Sequence, residues 1–120
     1  MARILIVDDE ESDRLLEQAI LERAGHQTFF ATHGEEAMRE YIAQGIDIVI
    51  TDLQMPEVHG FELISLLRDI SPPPPIIAVS GTGSYQLEMA NALGAKFTLR
   101  KPIDADALLN AVQQVSDATS

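Results

Sequence analysis

Apolar residues along the chain follow two patterns that alternate, short continuous runs and longer stretches with helical spacing. Continuous apolar runs are typical of strands covered on both faces, and apolar positions three and four residues apart are typical of amphipathic helices. The two patterns alternate five times. The predicted strands are Arg3 to Val7, Gln27 to Ala31, Ile46 to Thr51, Ile76 to Ser80 and Lys96 to Arg100.

The predicted helices fill the segments between and after these strands. They run from Glu11 to Ala24, from Gly34 to Gln44, from near Gly60 to before the four prolines that start at Pro72, from Ser84 to Leu93, and onward from an N-cap at Asp104. Prolines remove backbone donors and force an extended path, so the third helix must end before them.

Helical spacing also predicts which side chains face the core. The predicted inward residues are Leu15, Leu16, Ala19 and Ile20 in the first helix, Ala37, Met38, Tyr41 and Ile42 in the second, Phe61, Ile64, Leu66 and Leu67 in the third, and Leu108, Leu109, Val112 and Val115 in the last.

Strands that alternate with helices predict right-handed crossovers and a mainly parallel sheet. Five such units fit an α/β fold with a doubly wound five-stranded parallel sheet of order 2-1-3-4-5, the flavodoxin-like order. No repeat, linker or second pattern interrupts the 120 residues. We therefore expect residues 1–120 to form a single domain with no output domain.

Charged residues follow three of the predicted strands. Asp8 and Asp9 follow the first strand, Asp52 the third and Lys101 the last. Because parallel strands end at one crevice, these groups should lie close together. Close carboxylates repel one another unless a cation lies among them, and a hard divalent cation suits oxygen ligands. Alone, Asp8 and Asp9 could simply cap the first helix, but Asp52 and Lys101 favour a site for a metal and a phosphoryl group.

The formal net charge is −11, from 8 basic and 19 acidic residues. This acidic balance argues against binding to nucleic acid or to an anionic membrane surface. The chain has no cysteine, no signal-peptide pattern and no apolar run near the length of a membrane span. These features predict a cytoplasmic location.

Four short motifs follow one another along the chain. They are Val7-Asp8-Asp9-Glu10, Thr51-Asp52-Leu53-Gln54-Met55-Pro56 followed by Gly60, Ser80-Gly81-Thr82, and Lys101-Pro102. Each motif alone is weak, but the four together on five β/α units are highly specific. Over essentially all of its 120 residues, the chain resembles the receiver domains of bacterial two-component response regulators.

The resemblance implies a role for each motif residue. Asp52 would be the phosphoacceptor. Mg²⁺ would be held by Asp8, Asp9, Asp52 and the backbone carbonyl of Gln54. Ser80 and Lys101 would bind the phosphoryl group, and Pro102 would follow a cis peptide bond. The donor would be a phosphohistidine of a sensor histidine kinase or a histidine phosphotransfer protein. The chain would catalyse only its own phosphorylation and dephosphorylation. Its output would pass through the fourth helix, the last strand and the last helix.

Among the departures from the pattern of the family, one bears on the switch. Many receivers carry an aromatic residue three positions before the lysine, where this chain has Thr98. Phe97 is adjacent, but strand side chains alternate between faces, so Phe97 cannot replace it without a register slip. We therefore expect the switch to begin at Ser80 and the glycine-containing segment 81–83 rather than at an aromatic ring.

Two alternatives belong to other functional classes. A phosphatase of the haloacid dehalogenase type would have a second aspartate two residues after its nucleophile, where this chain has Gln54. A flavodoxin-like binding module would need a phosphate-binding loop after the first strand. The acidic sequence Asp8-Asp9-Glu10-Glu11 has the wrong charge for that loop.

Overall fold

Five strands and five helices alternate in the computed structural model, which describes residues 2–53, 60–81 and 84–119. In chain order the elements are β1 (Arg3–Val7), α1 (Glu11–Arg23), β2 (Gln27–Ala31), α2 (Gly34–Gln44), β3 (Ile48–Asp52), α3 (Gly60–Arg68), β4 (Ile76–Ser80), α4 (Ser84–Leu93), β5 (Phe97–Arg100) and α5 (Ala105–Thr119). The element order agrees with the prediction. The largest boundary difference in a strand is in β3, which begins two residues later than predicted and includes Asp52.

The strands form one parallel sheet with the order β2-β1-β3-β4-β5, which confirms the predicted fold class. Strand β3 and strand β4 are buried along their whole length. This explains why their sequences are continuous apolar runs rather than alternating ones. Strand order reverses between β1 and β3, and in sheets of this type ligands bind beyond the carboxyl ends of the strands at such a point.

The core has two layers, one on each face of the sheet. Alternate residues of β1, β3 and β4 pack with α2, α3 and α4 on one face and with α1 and α5 on the other. In β5, Phe97 and Leu99 pack against the α1–α5 layer. Thr98 lies between them and pairs with Ala78 of the opposite layer, as the predicted alternation requires.

The predicted inward face of α1 is wrong at three of its four residues. Leu15 is 52% exposed and Leu16 is 44% exposed, and Ala19 is also exposed. The buried residues of α1 are Glu17 and Leu21, with Ile20 partly buried. The face that packs on the sheet carries a carboxyl group, so the apolar periodicity of the sequence indicated a different side of the helix.

Smaller differences occur in the next two helices. Ile42 of α2 is 76% exposed and Leu66 of α3 is 45% exposed, although both were predicted to face the core. The other predicted residues of these helices are buried or pack against the core, and Leu63 is an additional buried residue. Each exposed residue directly follows or precedes a core residue and lies about 100° around the helix from it, on the flank that the sheet does not cover.

Helix α5 agrees with the prediction. Leu108, Val112 and Val115 are buried, and Leu109 packs against the same layer. The side chain of Asp104 accepts a hydrogen bond from the backbone N–H of Ala107 at 2.9 Å, which is the predicted N-cap. In the described ranges, no helix combines the length and the apolar character needed to cross a bilayer.

Candidate metal and phosphoacceptor site

Side-chain alternation along the strands brings three charged groups to the same face of the sheet. In each of β1, β3 and β5, two alternate residues pack in the α1–α5 layer, and the charged residue follows at the next alternate position. These series are Ile4, Ile6 and Asp8, then Ile48, Ile50 and Asp52, and finally Phe97, Leu99 and Lys101. The strand pattern itself therefore points the three groups into one crevice beside α1.

Three carboxyl groups lie close together in this crevice, as the sequence predicted. Asp8, Asp9 and Asp52 each offer an oxygen, and these oxygens lie within 4.8 Å of one another. Asp8 and Asp52 are only 1% and 6% exposed, whereas Asp9 is exposed. Two buried carboxylates at this separation need compensating positive charge.

The backbone around Asp8 is held on both sides. Its N–H donates to the carbonyl of Ala31 at 3.0 Å, and the Arg14 guanidinium donates to its carbonyl at 2.8 Å. Its side-chain Oδ1 accepts from the N–H of Glu10 at 2.9 Å. Glu10 is the N-cap residue of α1 and makes no side-chain cap hydrogen bond. The Asp8 side chain therefore orders the turn before α1 and leaves Oδ2 directed at the crevice.

Lys101 supplies positive charge to the crevice. Its Nζ lies 3.0 Å from Oδ2 of Asp8, 3.4 Å from Oδ2 of Asp52 and 2.8 Å from Oδ2 of Asp13. Burial alone would lower the pKa of Lys101. The hydrogen bonds to Asp13 and Asp8 and the charges of Asp52 and Asp8 outweigh burial and raise that pKa above its usual range. The ammonium group therefore stays charged and partly neutralises the carboxylates.

Helix α1 adds two acidic groups that the sequence prediction missed. Asp13 makes the shortest of the three Lys101 contacts, and Glu17 is 1% exposed one turn further along the helix. Burial, followed by repulsion from Asp8, raises the pKa of Glu17 to about 8, although the charge of Lys101 opposes the rise. In the described part of the chain, Oε2 of Glu17 has no hydrogen-bond partner. The four-residue spacing of Asp13 and Glu17 was the available signal, because it places both on one side of the predicted helix.

The remaining predicted residues lie at the ends of β4 and β5 or outside the described ranges. Ser80 is buried at the end of β4, and its carbonyl accepts a hydrogen bond from the N–H of Lys101 at 3.0 Å. The Lys101–Pro102 peptide bond is cis. Gln54, the predicted carbonyl ligand, and residues 82–83 of the predicted switch segment lie outside the described ranges.

The donor set fits a hard divalent cation. The cluster offers carboxylate oxygens from two buried aspartates and one exposed aspartate, with no sulfur or imidazole among them. Mg²⁺ binds carboxylate oxygens and keeps several of its waters, so an exposed ligand on one side is compatible with it. Asp8, Asp9 and Asp52 are therefore the residues that would hold such an ion.

Comparison with known proteins gives the same answer as the geometry. The family model described as the response regulator receiver domain matches residues 4–113. The chain is 34% identical over 116 residues to the chemotaxis protein CheY of Thermotoga maritima, with 95% of this chain and 97% of that protein covered. A crystal structure of a response regulator receiver domain protein from Clostridium thermocellum has a TM-score of 0.91 at 30% identity, covering 99% of this chain and 97% of that one.

A further relative is much longer than this chain. The autoinducer 1 sensor kinase/phosphatase LuxN of Vibrio campbellii is 38% identical over 106 residues, which are 88% of this chain but only 12% of LuxN. Sequences of this kind therefore occur both as nearly whole proteins and as small parts of large ones. The chain belongs to the family of response regulator receiver domains, and it is a phosphoacceptor signalling domain.

Proposed function

We propose that Asp52 accepts a phosphoryl group from a phosphohistidine of a sensor histidine kinase or a histidine phosphotransfer protein. The observation that carries this assignment is the position of the carboxyl group. Asp52 is buried at the carboxyl end of a central strand, with the ammonium of Lys101 at 3.4 Å and the acidic pair Asp8–Asp9 beside it. Among the three clustered carboxylates, Asp52 is the buried one that ends a central strand, whereas the side chain of Asp8 orders the turn before α1.

Asp8, Asp9 and Asp52 would hold Mg²⁺, with the backbone carbonyl of Gln54 as a further ligand implied by the family resemblance. The ion would offset the charge of the incoming phosphoryl group and of the carboxylates around it. The residues themselves do the positioning. The turn hydrogen bond from Glu10 fixes the carboxyl group of Asp8, and β3 fixes that of Asp52.

The transfer itself needs little covalent chemistry from the protein. An oxygen of Asp52 bonds to phosphorus while the phosphorus–nitrogen bond of the donor breaks, and the electron pair returns to the imidazole. Lys101 would pair with one phosphoryl oxygen, and the Ser80 hydroxyl would donate to another. Water later cleaves the acyl phosphate to inorganic phosphate and restores the carboxylate. The chain would thus act only on its own phosphoryl group and would not turn over a pool of substrate.

The partner assignment is supported by the relatives. One relative is named as a sensor kinase/phosphatase and another as a chemotaxis protein. Output through the surface of α4, β5 and α5 remains a prediction, as do a domain without an attached output module and a cytoplasmic location. The family assignment does not favour the phosphatase or the flavodoxin-like binding module.

Phosphorylation by acetyl phosphate with Mg²⁺, followed by intact-mass measurement, tests the assignment. We expect one added phosphoryl group on the parent, none on Asp52→Asn, and a normal addition on the control Asp106→Asn. Asp106 is an exposed aspartate in the first turn of α5, so this control removes the same charge outside the crevice. Stoichiometric labelling of Asp52→Asn would show that another residue is the acceptor.

A further inference from the structure

Lys101 is fully occupied in the structure. An ammonium group has three N–H donors, and Nζ of Lys101 contacts one oxygen each of Asp8, Asp13 and Asp52. Asp8 and Asp52 belong to strand ends, whereas Asp13 belongs to α1. A phosphoryl oxygen can therefore gain Lys101 only if at least one of these three carboxylates gives up its contact.

The contact with α1 is the shortest of the three. It measures 2.8 Å, against 3.0 Å to Asp8 and 3.4 Å to Asp52. Asp8 and Asp52 are also the carboxylates that a divalent cation would neutralise, which would weaken their hold on the ammonium group. Once a cation has entered, Asp13 is thus the carboxylate that still competes for Lys101.

Glu17 lies on the same side of α1 as Asp13, one helical turn away. Its side chain is 1% exposed, and within the described ranges its Oε2 has no hydrogen-bond partner. An unpaired polar atom in the interior costs free energy that an apolar residue would avoid. The charges that act on it are those of Asp8, Lys101, Asp13 and Asp52. Glu17 is therefore a buried acceptor within range of the charge of Lys101, and it has capacity for another hydrogen bond.

We propose that Asp13 and Glu17 form a holding site on α1 for the Lys101 ammonium group, which competes with the phosphoryl group for Lys101. Both are positioning residues, because they act through Lys101 and not on the phosphorus atom. The inference rests on the proposed role of Lys101 as a phosphoryl ligand. Its consequence is that α1 favours the unphosphorylated state of the chain.

Only the contribution of Glu17 is expected to vary with pH in this range. Asp13 is one-third exposed and contacts the ammonium group directly, at 2.8 Å. Glu17, whose pKa is raised to about 8 mainly by burial, adds its charge only above that pH. Glu17→Gln should therefore change the affinity for a phosphoryl group little near pH 6.5 and more near pH 8.5.

Beryllofluoride, a phosphoryl mimic, allows the competition to be measured without turnover. Its affinity is determined by NMR titration at saturating Mg²⁺ for the parent, Asp13→Asn, Glu17→Gln and the control Glu11→Gln, which removes an exposed charge from the same helix. We expect Asp13→Asn to bind roughly two- to fivefold tighter than the parent, as for loss of a partly exposed ion pair. Glu17→Gln should match the parent near pH 6.5 and bind tighter than it near pH 8.5, and the control should match the parent throughout.

A second measurement follows the lysine itself. In the free protein, the ammonium hydrogens of Lys101 should exchange with water faster in Asp13→Asn than in the parent, because the shortest of their three contacts is lost. A purely structural role for Asp13 would not produce this change. If the parent binds beryllofluoride and Asp13→Asn binds it with equal or weaker affinity, the holding site is refuted but the proposed function is not. A parent that binds no beryllofluoride overturns the proposed function and the holding site together.

Discussion

The buried carboxyl group of Glu17 should make the stability of the fold depend on pH, and Glu17→Gln should remove that dependence. The pKa of Glu17 is raised from its ordinary value of 4.5 to about 8, mainly by burial and then by repulsion from Asp8. Between these two values, the folded chain keeps a proton that the unfolded chain has released. The stability that this proton represents is fully present below pH 4.5 and is lost as pH rises towards 8.

The size of the effect follows from the two pKa values. Each unit of pKa difference corresponds to about 1.4 kcal/mol between the two protonation states. Relative to a neutral side chain of the same shape, Glu17 should cost about 1 kcal/mol near pH 5.5 and about 4 kcal/mol near pH 8. The free energy of unfolding of Glu17→Gln should thus exceed that of the parent by a margin that grows by about 3 kcal/mol over this range.

Urea denaturation followed by far-UV circular dichroism measures this margin. The parent, Glu17→Gln and the control Glu88→Gln are compared at several pH values between about 5.5 and 8, with chelator present so that no divalent cation contributes. Glu88 is exposed on α4, so its substitution should leave the pH dependence unchanged. A constant margin between Glu17→Gln and the parent would refute the argument, because it would mean that Glu17 titrates alike in the folded and unfolded chains.

Three further predictions concern the strand-end residues. Without Mg²⁺, Asp52→Ala should be no less stable than the parent, because the substitution relieves repulsion between carboxylates. Denaturant titration should show that Mg²⁺ stabilises Asp52→Ala less than the parent. For the parent, mass action gives a stabilisation of about 2.7 kcal/mol at a Mg²⁺ concentration 100 times the dissociation constant. Equal gains would contradict the cluster. Lys101→Ala should keep a Mg²⁺ affinity that calorimetry can measure but should be phosphorylated more slowly than the parent. Loss of Mg²⁺ binding with a normal phosphorylation rate would show that Lys101 supports the metal and not the phosphoryl group. Ser80→Ala should leave Asp52 phosphorylatable yet weaken the NMR response of α4 to beryllofluoride, whereas Thr98→Ala should disturb it much less; the reverse result would show that the switch starts at Thr98.

The sheet could be predicted from the sequence because its strands are continuous apolar runs, and a buried parallel strand has few other sequence patterns. The charged residues at the strand ends could be predicted for the same reason, since Asp8, Asp52 and Lys101 each come immediately after or at the end of such a run. The buried faces of the helices could be predicted less well than the strands. In α1 the exposed Leu15 and Leu16 have the stronger apolar spacing, while the buried face carries Glu17. A buried carboxyl group is invisible to a method that equates burial with hydrophobicity.

The contact between Lys101 and Asp13 could not be predicted for a different reason. The two residues are separated by 88 positions, and neither helical nor strand periodicity relates them. Their proximity depends on how α1 is placed against the crevice, and that placement comes from the packing of Leu21 and its neighbours with the sheet. Sequence patterns locate elements, but the angle at which a helix presents its polar side to a site is set by tertiary packing.

The absence of an aromatic ring at Thr98 limits how a phosphoryl group could alter α4. Phe97 packs in the layer of α1 and α5, and Thr98 faces the layer that contains α4. No ring can therefore enter or leave the space beside α4 from this position. The two candidate phosphoryl ligands are instead joined through the backbone, since the N–H of Lys101 donates to the carbonyl of Ser80 at 3.0 Å. A displacement of either residue towards a phosphoryl group acts on the end of β4, directly before the segment that leads into α4. The start of α4 is therefore where a change at the site should first reach the surface.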